Sequence, residues 1–572
     1  MLRSDAWVVG DDEVALEHRV ALRSAGVPVD ERGGRPVVGI ANSASELNPC
    51  NLPLRGLAES VRAGILAAGG LPVEFPVLSL GEDLMKPTAM LYRNLLAIEV
   101  EETLRSYPLD AVVLLANCDK TVPGALMGAA STGLPALVVT GGARPACRFR
   151  GERIGTGTAL WRLWDEHRTG ALDDDEWREL ESRLSEGVGA CNTMGTASTM
   201  AILAEVLGLA VPGTSTIPTG DPRAHDGARR AGARVAELAR RQESPFAACG
   251  PASFANAVRV LNAIGGSTNA VLHLAALAGR LGVPFDLADV DRLGREVPLL
   301  ADVEPSGSGL VHDLDAAGGV PALLGELADV LDPGAPLADG RTTGELCASA
   351  PEPVGTAIRP RERPVQAGGA FRVVRGSLAP EGAVLKRSSA SPALLRHAGR
   401  AVVFRGYEDM RVRIDDPELD VDASSVLVLA GCGPVGGPGM PEWGMIPIPR
   451  KLLELGVRDM VRVTDARMSG TSYGTVYLHV APEAAVGGPL ALVRDGDLVE
   501  ADADAGRLDL LVDPAELARR ADAWRPALRP SRRGWTALYQ AHVTQAPRGC
   551  DLDFLEPVPG EPTLVEPVVG RS

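Results

Sequence analysis

The segment AVVLLANCDKTVPGALMGAA, residues 111–130, decides the fold because it passes from an apolar run through a polar loop into a second apolar run. Ala111–Leu115 is short, continuous and apolar, which is typical of a buried strand. Cys118–Lys120 follow at its end, and Pro123–Gly124 turns the chain into the next helix. We therefore predict a strand–loop–helix unit whose loop carries reactive side chains.

Other runs repeat this pattern along the first half of the chain. Pro36–Ile40 and Ala136–Val139 are the best further strands, and helical stretches separate the strands from one another. Strands that alternate with helices indicate a parallel sheet with crossover helices. The first half is thus predicted to be an α/β domain.

One predicted helix shows how this sheet is expected to be covered. Its sequence is LYRNLLAIEVEETL, Leu91–Leu104. Apolar residues fall close to one face of this helix, with acidic residues opposite, and they are Leu91, Leu95, Ile98 and Leu104. We expect the apolar face to pack on the sheet.

The chain is predicted to form two domains. At 572 residues it exceeds what a single hydrophobic core usually supports. Proline density rises and periodicity disappears over Pro351–Pro364, so we divide the chain into residues 1–365 and 366–572. The second domain is predicted to be β-rich, because short strands lie between Gly/Pro turns. The clearest of these strands are Val426–Leu429, Met460–Val463 and Val476–Val480.

Composition excludes several classes of partner. The formal net charge of −17 repels nucleic acid and anionic lipid headgroups. Met1–Glu13 has no apolar stretch behind a basic start, and no window approaches the roughly eighteen apolar residues of a membrane span. Eight cysteines without CxxC or dense spacing do not indicate a secreted disulfide framework. We therefore expect a cytoplasmic protein that binds neither nucleic acid nor membrane.

Three cysteines lie in Gly/Pro/Asn turn sequence: Cys50 in GIANSASELNPCN, Cys118 in the segment quoted above, and Cys191 in GVGACNTMGTASTM. Open α/β sheets bind ligands beyond the carboxyl ends of their strands, so such loops can converge on one site. A single cysteine is more often a small buried hydrophobic residue, but a turn offers little to pack against. Three thiolates suit iron or zinc. We interpret the other five cysteines as packing residues.

Three acidic residues in loops that contain glycine or proline form a second candidate set: Glu82, Asp119 and Glu442. Carboxylate oxygens suit Mg²⁺ or Mn²⁺, although an acidic loop residue is more often a solvated surface charge. Lys120 complicates this site, because an ammonium and a divalent cation repel each other. Lys120 therefore either pairs with Asp119 or has its amine neutralised and modified.

Ser469 is the candidate base. It lies in VTDARMSGTSYG, between Met468 and Gly470, after a predicted strand. A serine at such a place is usually a turn former that bonds its own backbone. To accept a proton it must be an alkoxide, which requires the charge of a metal or cluster nearby.

Two further features are set aside. Gly431–Gly436 matches GxGxxG after a strand, but Pro434 and Pro438 lie where the helix of a dinucleotide site should begin. The eight histidines show no metal-binding spacing, and His273 is expected to be packed within a helix.

Seven ordered blocks resemble the dihydroxy-acid dehydratase and 6-phosphogluconate dehydratase family, between about residue 36 and about residue 557. The blocks are NPCN (48–51), CDKTVPGALMGA (118–129), CNTMGTASTM (191–200), GGSTNAVLHL (265–274), LAPEGAVLK (378–386), GGPGMPE (436–442) and TDARMSGTSYG (464–474). The resemblance implies an α/β N-terminal domain joined to a β-barrel-like C-terminal domain, assembled as a homodimer or homotetramer.

The resemblance also implies roles for single residues. The positions that match the ligands of the family's [2Fe–2S] cluster are Cys50, Cys118 and Cys191. Those that match its Mg²⁺ (or Mn²⁺) ligands are Glu82, Asp119, Lys120 and Glu442. The resemblance implies that Lys120 is carbamylated, which makes it an anionic oxygen donor and resolves the charge problem. Ser469 matches the proposed catalytic base, and Lys120 is predicted as a catalytic residue as well as a ligand.

Within the family, the chain is similar to the sugar-acid branch, as the stretch WRLWDEHRTGALDDDEWRELE and RMSGT in place of RFSGG indicate. The resemblance implies a hydro-lyase that converts an aldonate such as arabinonate, xylonate or galactonate into a 2-keto-3-deoxy acid. The alternative is a dihydroxy-acid dehydratase of branched-chain amino-acid biosynthesis. Departures from the family pattern at Asn42–Glu46 and Cys432 leave the particular acid open.

Overall fold

A computed structural model describes residues 1–31, 33–526, 530–558 and 564. The last residues of the predicted second domain, 559–563 and 565–572, lie outside the described residues, as do 32 and 527–529. Within the described ranges, no helix combines the length and the apolar character that a membrane crossing requires.

Four parallel strands form the first sheet. Their order across the sheet is β2-β1-β3-β4, and Ile40 lies opposite Val113 in the two central strands. The strands are β1 (Val37–Asn42), β2 (Leu71–Pro76), β3 (Ala111–Leu115) and β4 (Ala136–Val139). Strands β3 and β4 have the predicted bounds, whereas β1 begins one residue later and ends two residues later than predicted. Strand β2 was not predicted. The predicted α/β class is confirmed.

Helices cover both faces of this sheet, and for that reason β1, β3 and β4 are buried along nearly their whole length. The helices of the first part are α1 (Asp5–Val8), α2 (Glu13–Ser24), α3 (Leu54–Ala67), α4 (Arg93–Ser106), α5 (Thr121–Thr132), α6 (Thr158–Arg168), α7 (Asp174–Leu184), α8 (Thr196–Val206), α9 (Pro222–Arg241), α10 (Pro245–Ala248), α11 (Pro251–Ala263), α12 (Asn269–Leu281), α13 (Leu287–Gly294), α14 (Val311–Ala316), α15 (Gly319–Glu326) and α16 (Thr343–Ala348). Helices α3 and α9 pack on one face of the sheet, while α4, α5 and α8 contribute to the largest hydrophobic core on the other.

Helix α4 exists as predicted, but its predicted buried face was right only in part, because Leu91 and Leu104 are buried whereas the other two predicted residues are not. The helix begins at Arg93 after a 3₁₀ turn, Ala89–Tyr92, and Leu95 and Ile98 are only half-buried. The side chains that α4 buries are Arg93, Asn94, Leu96, Ala97, Val100, Glu101 and Leu104.

The physical reason is that α4 packs closely against α5. Gly128 of α5 lies so near the carbonyl of Ala97 that a Cβ at this glycine would collide with it. Glycines of α5 therefore lie against Leu96, Ala97 and Val100 of α4. Glu101, which the sequence argument placed on the outer face, is instead buried beside Arg280, with 2.9 Å between the charged groups.

A small unit follows β4 and packs around its own hydrophobic cluster. It consists of the hairpin β5 (Cys147–Phe149) and β6 (Glu152–Ile154) together with α6 and α7. The cluster joins Phe149 to Leu163 and Leu180 of the two helices. We call residues 147–184 the cap.

Eight strands form the second, mixed sheet, in the order β14-β13-β9-β10-β11-β12-β8-β7. The strands are β7 (Phe371–Val374), β8 (Gly382–Lys386), β9 (Arg396–Arg405), β10 (Val426–Ala430), β11 (Arg462–Thr464), β12 (Val476–Ala481), β13 (Leu498–Asp502) and β14 (Arg507–Leu510). A bridge between Arg375 and Arg507 joins the two ends of this order, so the sheet is nearly closed. The predicted β-barrel-like domain is confirmed.

The second part contains few helices. They are α17 (Tyr407–Arg413), α18 (Arg450–Glu454), α19 (Pro514–Ala523) and α20 (Gly534–His542). Further 3₁₀ turns lie at Arg387–Ser389, Pro392–Leu394, Ala484–Val486, Pro489–Leu492, Ala546–Arg548 and Asp553–Leu555. The division of the chain at residue 365 stays a prediction. Phe371 and Val384 of the second part belong to the same hydrophobic core as α11 and α13 of the first.

Lys386 is a buried amine near this contact between the two parts. It ends β8 opposite Phe371 of β7, and its side chain is buried. Nζ has no hydrogen-bond partner in the described part of the chain. Burial lowers the pKa of Lys386 to about 7. Removing this amine from water without a partner opposes folding.

The variant Lys386→Met is expected to unfold at a higher urea concentration near pH 7 and to show a flatter pH dependence. In the wild type, the unfolded lysine binds its proton below its ordinary pKa of 10.5, whereas folded Lys386 does so only below about 7. Between these values the free energy of unfolding rises with pH, by up to about 1.4 kcal/mol per pH unit.

Urea unfolding measured from about pH 7 to pH 9 checks this slope. Lys451→Met is the matched control, because Lys451 binds surface backbone carbonyls and should leave the slope unchanged. Equal slopes for Lys386→Met and the wild type would contradict the prediction.

Candidate active site

Loops at the carboxyl ends of strands in both sheets meet at one place. In the first sheet, the loops after β1, β2 and β3 carry Cys50, Glu82 and Cys118–Lys120. In the second sheet, the loops after the parallel neighbours β10 and β11 carry Glu442 and Ser469. Parallel strands present their carboxyl ends at the same edge, which brings these distant residues together.

The carboxylates of Glu82, Asp119 and Glu442 surround the amine of Lys120. One oxygen of each carboxylate lies within 4.8 Å of the others. Lys120 Nζ is 3.0 Å from Glu82 Oε1 and 2.8 Å from Glu442 Oε1, and it also contacts Asp119. The side chain of Lys120 is fully buried. The four residues predicted as metal ligands are therefore adjacent in the structure.

These contacts shift the protonation equilibria within the cluster. Burial is the main reason that the pKa of Asp119 rises to about 6, since Lys120 opposes this rise only in part. Burial also disfavours the Glu82 carboxylate, yet Lys120 and Arg467 lower its pKa to about 2. Burial opposes protonation of Lys120, but the three carboxylates raise its pKa above the ordinary value. The unmodified lysine is therefore an ammonium at neutral pH.

Two residues that the sequence argument left unassigned complete the cluster. Arg467 donates to Glu442 Oε1 at 2.8 Å, to Glu82 Oε1 at 3.3 Å and to the Met440 carbonyl at 2.7 Å. Asn269 Nδ2 donates to Glu442 Oε1 at 2.8 Å. Both residues lie within the quoted blocks TDARMSGTSYG and GGSTNAVLHL. Their polar side chains inside these blocks were the signal available in the sequence.

The donor set fits a divalent cation on one condition. Three buried carboxylates supply the hard oxygen ligands that Mg²⁺ and Mn²⁺ prefer. The ammonium of Lys120 lies between them and would repel a cation. The set therefore accepts a divalent ion only when Lys120 is uncharged or carries an anionic carbamate. The sequence left two options for Lys120, an ion pair with Asp119 or a modified amine. The unmodified lysine in the structure forms ion pairs, and it does so with three carboxylates instead of one.

The three predicted cluster cysteines lie in adjoining loops, where Cys50 and Cys118 are buried and Cys191 is half-buried. A hydrogen bond between the Cys50 and Cys118 thiols is the main cause that raises the pKa of Cys118. Burial raises the pKa of Cys191 to about 12, and the nearby Cys50 adds to this rise. Asn117 Nδ2 ties two of the loops by donating to the Cys50 carbonyl at 2.7 Å. Three neighbouring thiols match the soft donors that iron–sulfur clusters require, so the set fits such a cluster.

Ser469 has a fixed hydrogen-bond partner, Thr471. The two hydroxyl oxygens are 2.9 Å apart. Trp161 Nε1 of the cap donates to the same Thr471 oxygen at 3.1 Å, and Thr158 Oγ1 donates to the Thr471 carbonyl at 2.9 Å. The cap thus holds the turn that carries Ser469, and Thr471 and Trp161 are further residues that the sequence argument did not assign.

Glu442 and Ser469 line one cavity of about 200 Å³. Trp161 and Trp164 of the cap form part of its wall. One predicted metal ligand and the predicted base therefore face the same enclosed space.

The two features set aside on sequence grounds are not ligand sites of the suspected kinds. In the GxGxxG segment, the N–H groups of Gly431 and Gly436 donate to Asp465 and Glu483, at 3.0 Å and 2.8 Å. These amides are therefore already used within the protein, and no helix follows the segment directly. His273 is buried in α12 as predicted, with Nδ1 3.1 Å from a nitrogen of Arg93.

Comparison with known proteins identifies the family. The sequence model of the dihydroxy-acid/6-phosphogluconate dehydratase N-terminal domain matches residues 35–346, and that of the C-terminal domain matches residues 356–550. The chain belongs to this family. The resemblance inferred from the seven sequence blocks is therefore confirmed, and this dehydratase is a hydro-lyase.

Relatives match this dehydratase along nearly its whole length. L-arabonate dehydratase of Azospirillum brasilense is 49% identical over 563 residues, 97% of each chain. 6-deoxy-6-sulfo-D-gluconate dehydratase of Pseudomonas putida is 46% identical over 97% of this chain and 96% of its own. Dihydroxy-acid dehydratase of Ignicoccus hospitalis is 38% identical over 97% of this chain and 100% of its own.

Proposed function

We propose that this dehydratase converts an aldonate into the corresponding 2-keto-3-deoxy acid. The observation that carries the proposal is a single cavity lined both by Ser469 and by Glu442, one of the three clustered carboxylates. Loss of water across C2 and C3 requires a base at C2 and stabilisation of charge on oxygen. The two relatives with 46% and 49% identity are named for sugar acids, which supports a sugar acid as the substrate.

The proposal includes two inorganic groups. The residues assigned to a [2Fe–2S] cluster are Cys50, Cys118 and Cys191. The residues assigned to Mg²⁺ or Mn²⁺ are Glu82, Asp119, Glu442 and a carbamylated Lys120. When bound, these groups supply Lewis-acid chemistry that stabilises negative charge on the substrate oxygens.

Ser469 removes the C2 proton in this proposal. Trp161 already donates to Thr471, and the Thr471 hydroxyl is then free to donate to Ser469 Oγ. A hydrogen bond to the ionised form of a group stabilises that form, so Thr471 favours Ser469 as an alkoxide. The proton moves from C2 to Ser469 Oγ and hydroxide leaves C3, which forms an enol. The enol becomes the keto acid when C3 takes a proton and the C2 hydroxyl group loses its proton.

Arg467 keeps Glu82 ionised and holds Glu82 and Glu442 in place. Its side chain is fully buried, and it binds both Glu82 and Glu442. Its charge helps to lower the pKa of Glu82 to about 2, so this carboxylate stays an oxygen donor at any physiological pH. Because the charges lie in a site with little water, they act more strongly than they would at the surface.

A branched-chain dihydroxy acid is the alternative substrate. The polar side chains of Asp165, Arg458 and Tyr473 in the cavity wall support the sugar acid. Apolar residues such as Met445 and Ile446 line another part of the wall. A direct comparison of the two substrate classes therefore tests the proposal.

Protein purified without oxygen is expected to form keto acids from C5 and C6 aldonates. A keto-acid assay across C4–C6 aldonates and 2,3-dihydroxy-isovalerate measures kcat/KM for each acid. The proposal expects the highest value for an aldonate. A higher value for 2,3-dihydroxy-isovalerate than for every aldonate would instead assign the branched-chain reaction.

The variant Ser469→Ala is expected to lower kcat by a factor of about 10²–10⁴, because removal of a general base typically has this cost. Its visible absorption and metal content should equal those of the wild type. Ser424→Ala, at a surface serine bonded to Asp422, is the control and should keep full activity. Normal turnover by Ser469→Ala would show that another group takes the proton.

The variant Cys118→Ser is expected to lose iron, visible absorption and turnover together, because one cluster ligand is removed. Iron content and the absorption spectrum are measured beside activity. Cys347→Ser is the matched control, since Cys347 donates only to the Leu324 carbonyl, away from the predicted cluster. A Cys118→Ser protein without iron that remains fully active would refute the role of the cluster.

A further inference from the structure

The cavity that contains Glu442 and Ser469 continues beyond the reacting groups. Its wall also includes Asp165 of the cap and, from the barrel, Arg458 and Tyr473. A second cavity of about 500 Å³ has the same three residues in its own wall. These residues therefore form the boundary at which a long substrate chain would leave the first cavity.

Arg458 is the arginine of this boundary that is available to a ligand. Arg168 and Arg462 line the first cavity as well, but each forms short ion pairs with carboxylates. Arg458 uses one nitrogen to bind two backbone carbonyls, at 2.7 Å and 3.3 Å. No carboxylate in the described part of the chain lies within 4.0 Å of it. Its remaining N–H groups can therefore donate into the cavity.

Asp165 supplies the complementary acceptor. Its Oδ1 accepts a hydrogen bond from Arg168 at 3.1 Å, and its other oxygen accepts none from the residues that the structure describes. A hydroxyl group both donates and accepts hydrogen bonds. A free arginine donor and a free carboxylate oxygen on one wall thus match the hydroxyl groups of a sugar chain.

The charges around the second cavity oppose an anionic substrate end. Its acidic lining residues are Glu152, Asp165, Glu166 and Glu304, and its basic ones are Arg153, Arg162 and Arg458. Arg153 and Arg162 are already paired with carboxylates. One oxygen of Glu304 is buried without a hydrogen-bond partner among the described residues. A phosphate or sulfonate would therefore meet more uncompensated negative than positive charge.

We propose that Arg458 and Asp165 bind the hydroxyl groups at the end of the sugar acid remote from its carboxylate, and that this end is uncharged. The inference rests on the proposed function and narrows its substrate class to neutral-ended aldonates of five or six carbons. The first cavity is small compared with the roughly 300–1,000 Å³ of drug-sized sites, so only a slender chain reaches the boundary.

The test compares wild-type holoenzyme with Arg458→Gln and Asp165→Asn on four acids. These are a four-carbon aldonate, a five-carbon aldonate, a six-carbon aldonate and the six-carbon acid with a terminal phosphate. For Arg458→Gln, kcat/KM should fall about ten-fold or more for the five- and six-carbon acids, mainly through KM. It should change less than about two-fold for the four-carbon acid, which ends before the boundary. Asp165→Asn should show the same dependence on chain length.

Arg450→Gln is the matched control, because Arg450 is exposed near the same segment and lines neither cavity. It should leave all four values unchanged. An equal loss for every chain length in Arg458→Gln would overturn the role of Arg458 in binding the far end. A wild-type preference for the phosphorylated acid would overturn the neutral end. Failure of the wild type to dehydrate any of the four acids would reject the proposed function itself, which the other outcomes leave intact.

Discussion

A buried cluster of charges that joins the two parts of the chain governs this structure. Lys120, on the loop after β3, pairs with Glu442 from the second sheet as well as with carboxylates of its own part, and Arg467 of the second sheet pairs with Glu82 from the first. An ion moved from water into a protein interior loses several kcal/mol of solvation unless partners and hydrogen bonds replace the water. Removing one partner from such a buried pair typically costs about 3–5 kcal/mol. The charged loops of the two sheets therefore lie against each other, where each supplies partners for the other.

The same burial separates the behaviour of neighbouring carboxylates. Glu82 lies beside the cationic side chains of Lys120 and Arg467 and accepts hydrogen bonds from Thr88 and Ala89. These contacts hold its pKa at about 2. Asp119 is equally enclosed but less well compensated, and its pKa rises to about 6. A site of this kind is balanced for one central positive charge, which Lys120 supplies when unmodified. Conversion of this lysine into a carbamate changes the balance in favour of a divalent cation.

The residues proposed for catalysis and the cap residues of the cavity wall lie on different elements of the fold. The carboxylates, thiols and Ser469 lie on loops at strand ends, whereas Asp165 and Trp161 belong to the cap, which has its own hydrophobic core. Changes in the cap can therefore alter the far end of the cavity without disturbing the charge cluster. This separation is consistent with a family in which relatives of 46% and 49% identity carry the names of different sugar-acid dehydratases.

The sequence by itself determined three of the four strands of the first sheet, the β-rich second part and the positions of the candidate ligands. Buried parallel strands are short continuous apolar runs, and residues such as Cys118 and Asp119 stand in recognisable blocks directly after them. The sequence did not determine the buried face of α4, because that face depends on the close approach of α5 at Gly128. It also did not indicate Arg467, Asn269 or Arg458, since a polar residue far away in the chain shows its partner only after folding. Three carboxylates around one lysine, and a cap that contacts the turn carrying Ser469, are products of tertiary packing because each joins segments that are hundreds of residues apart.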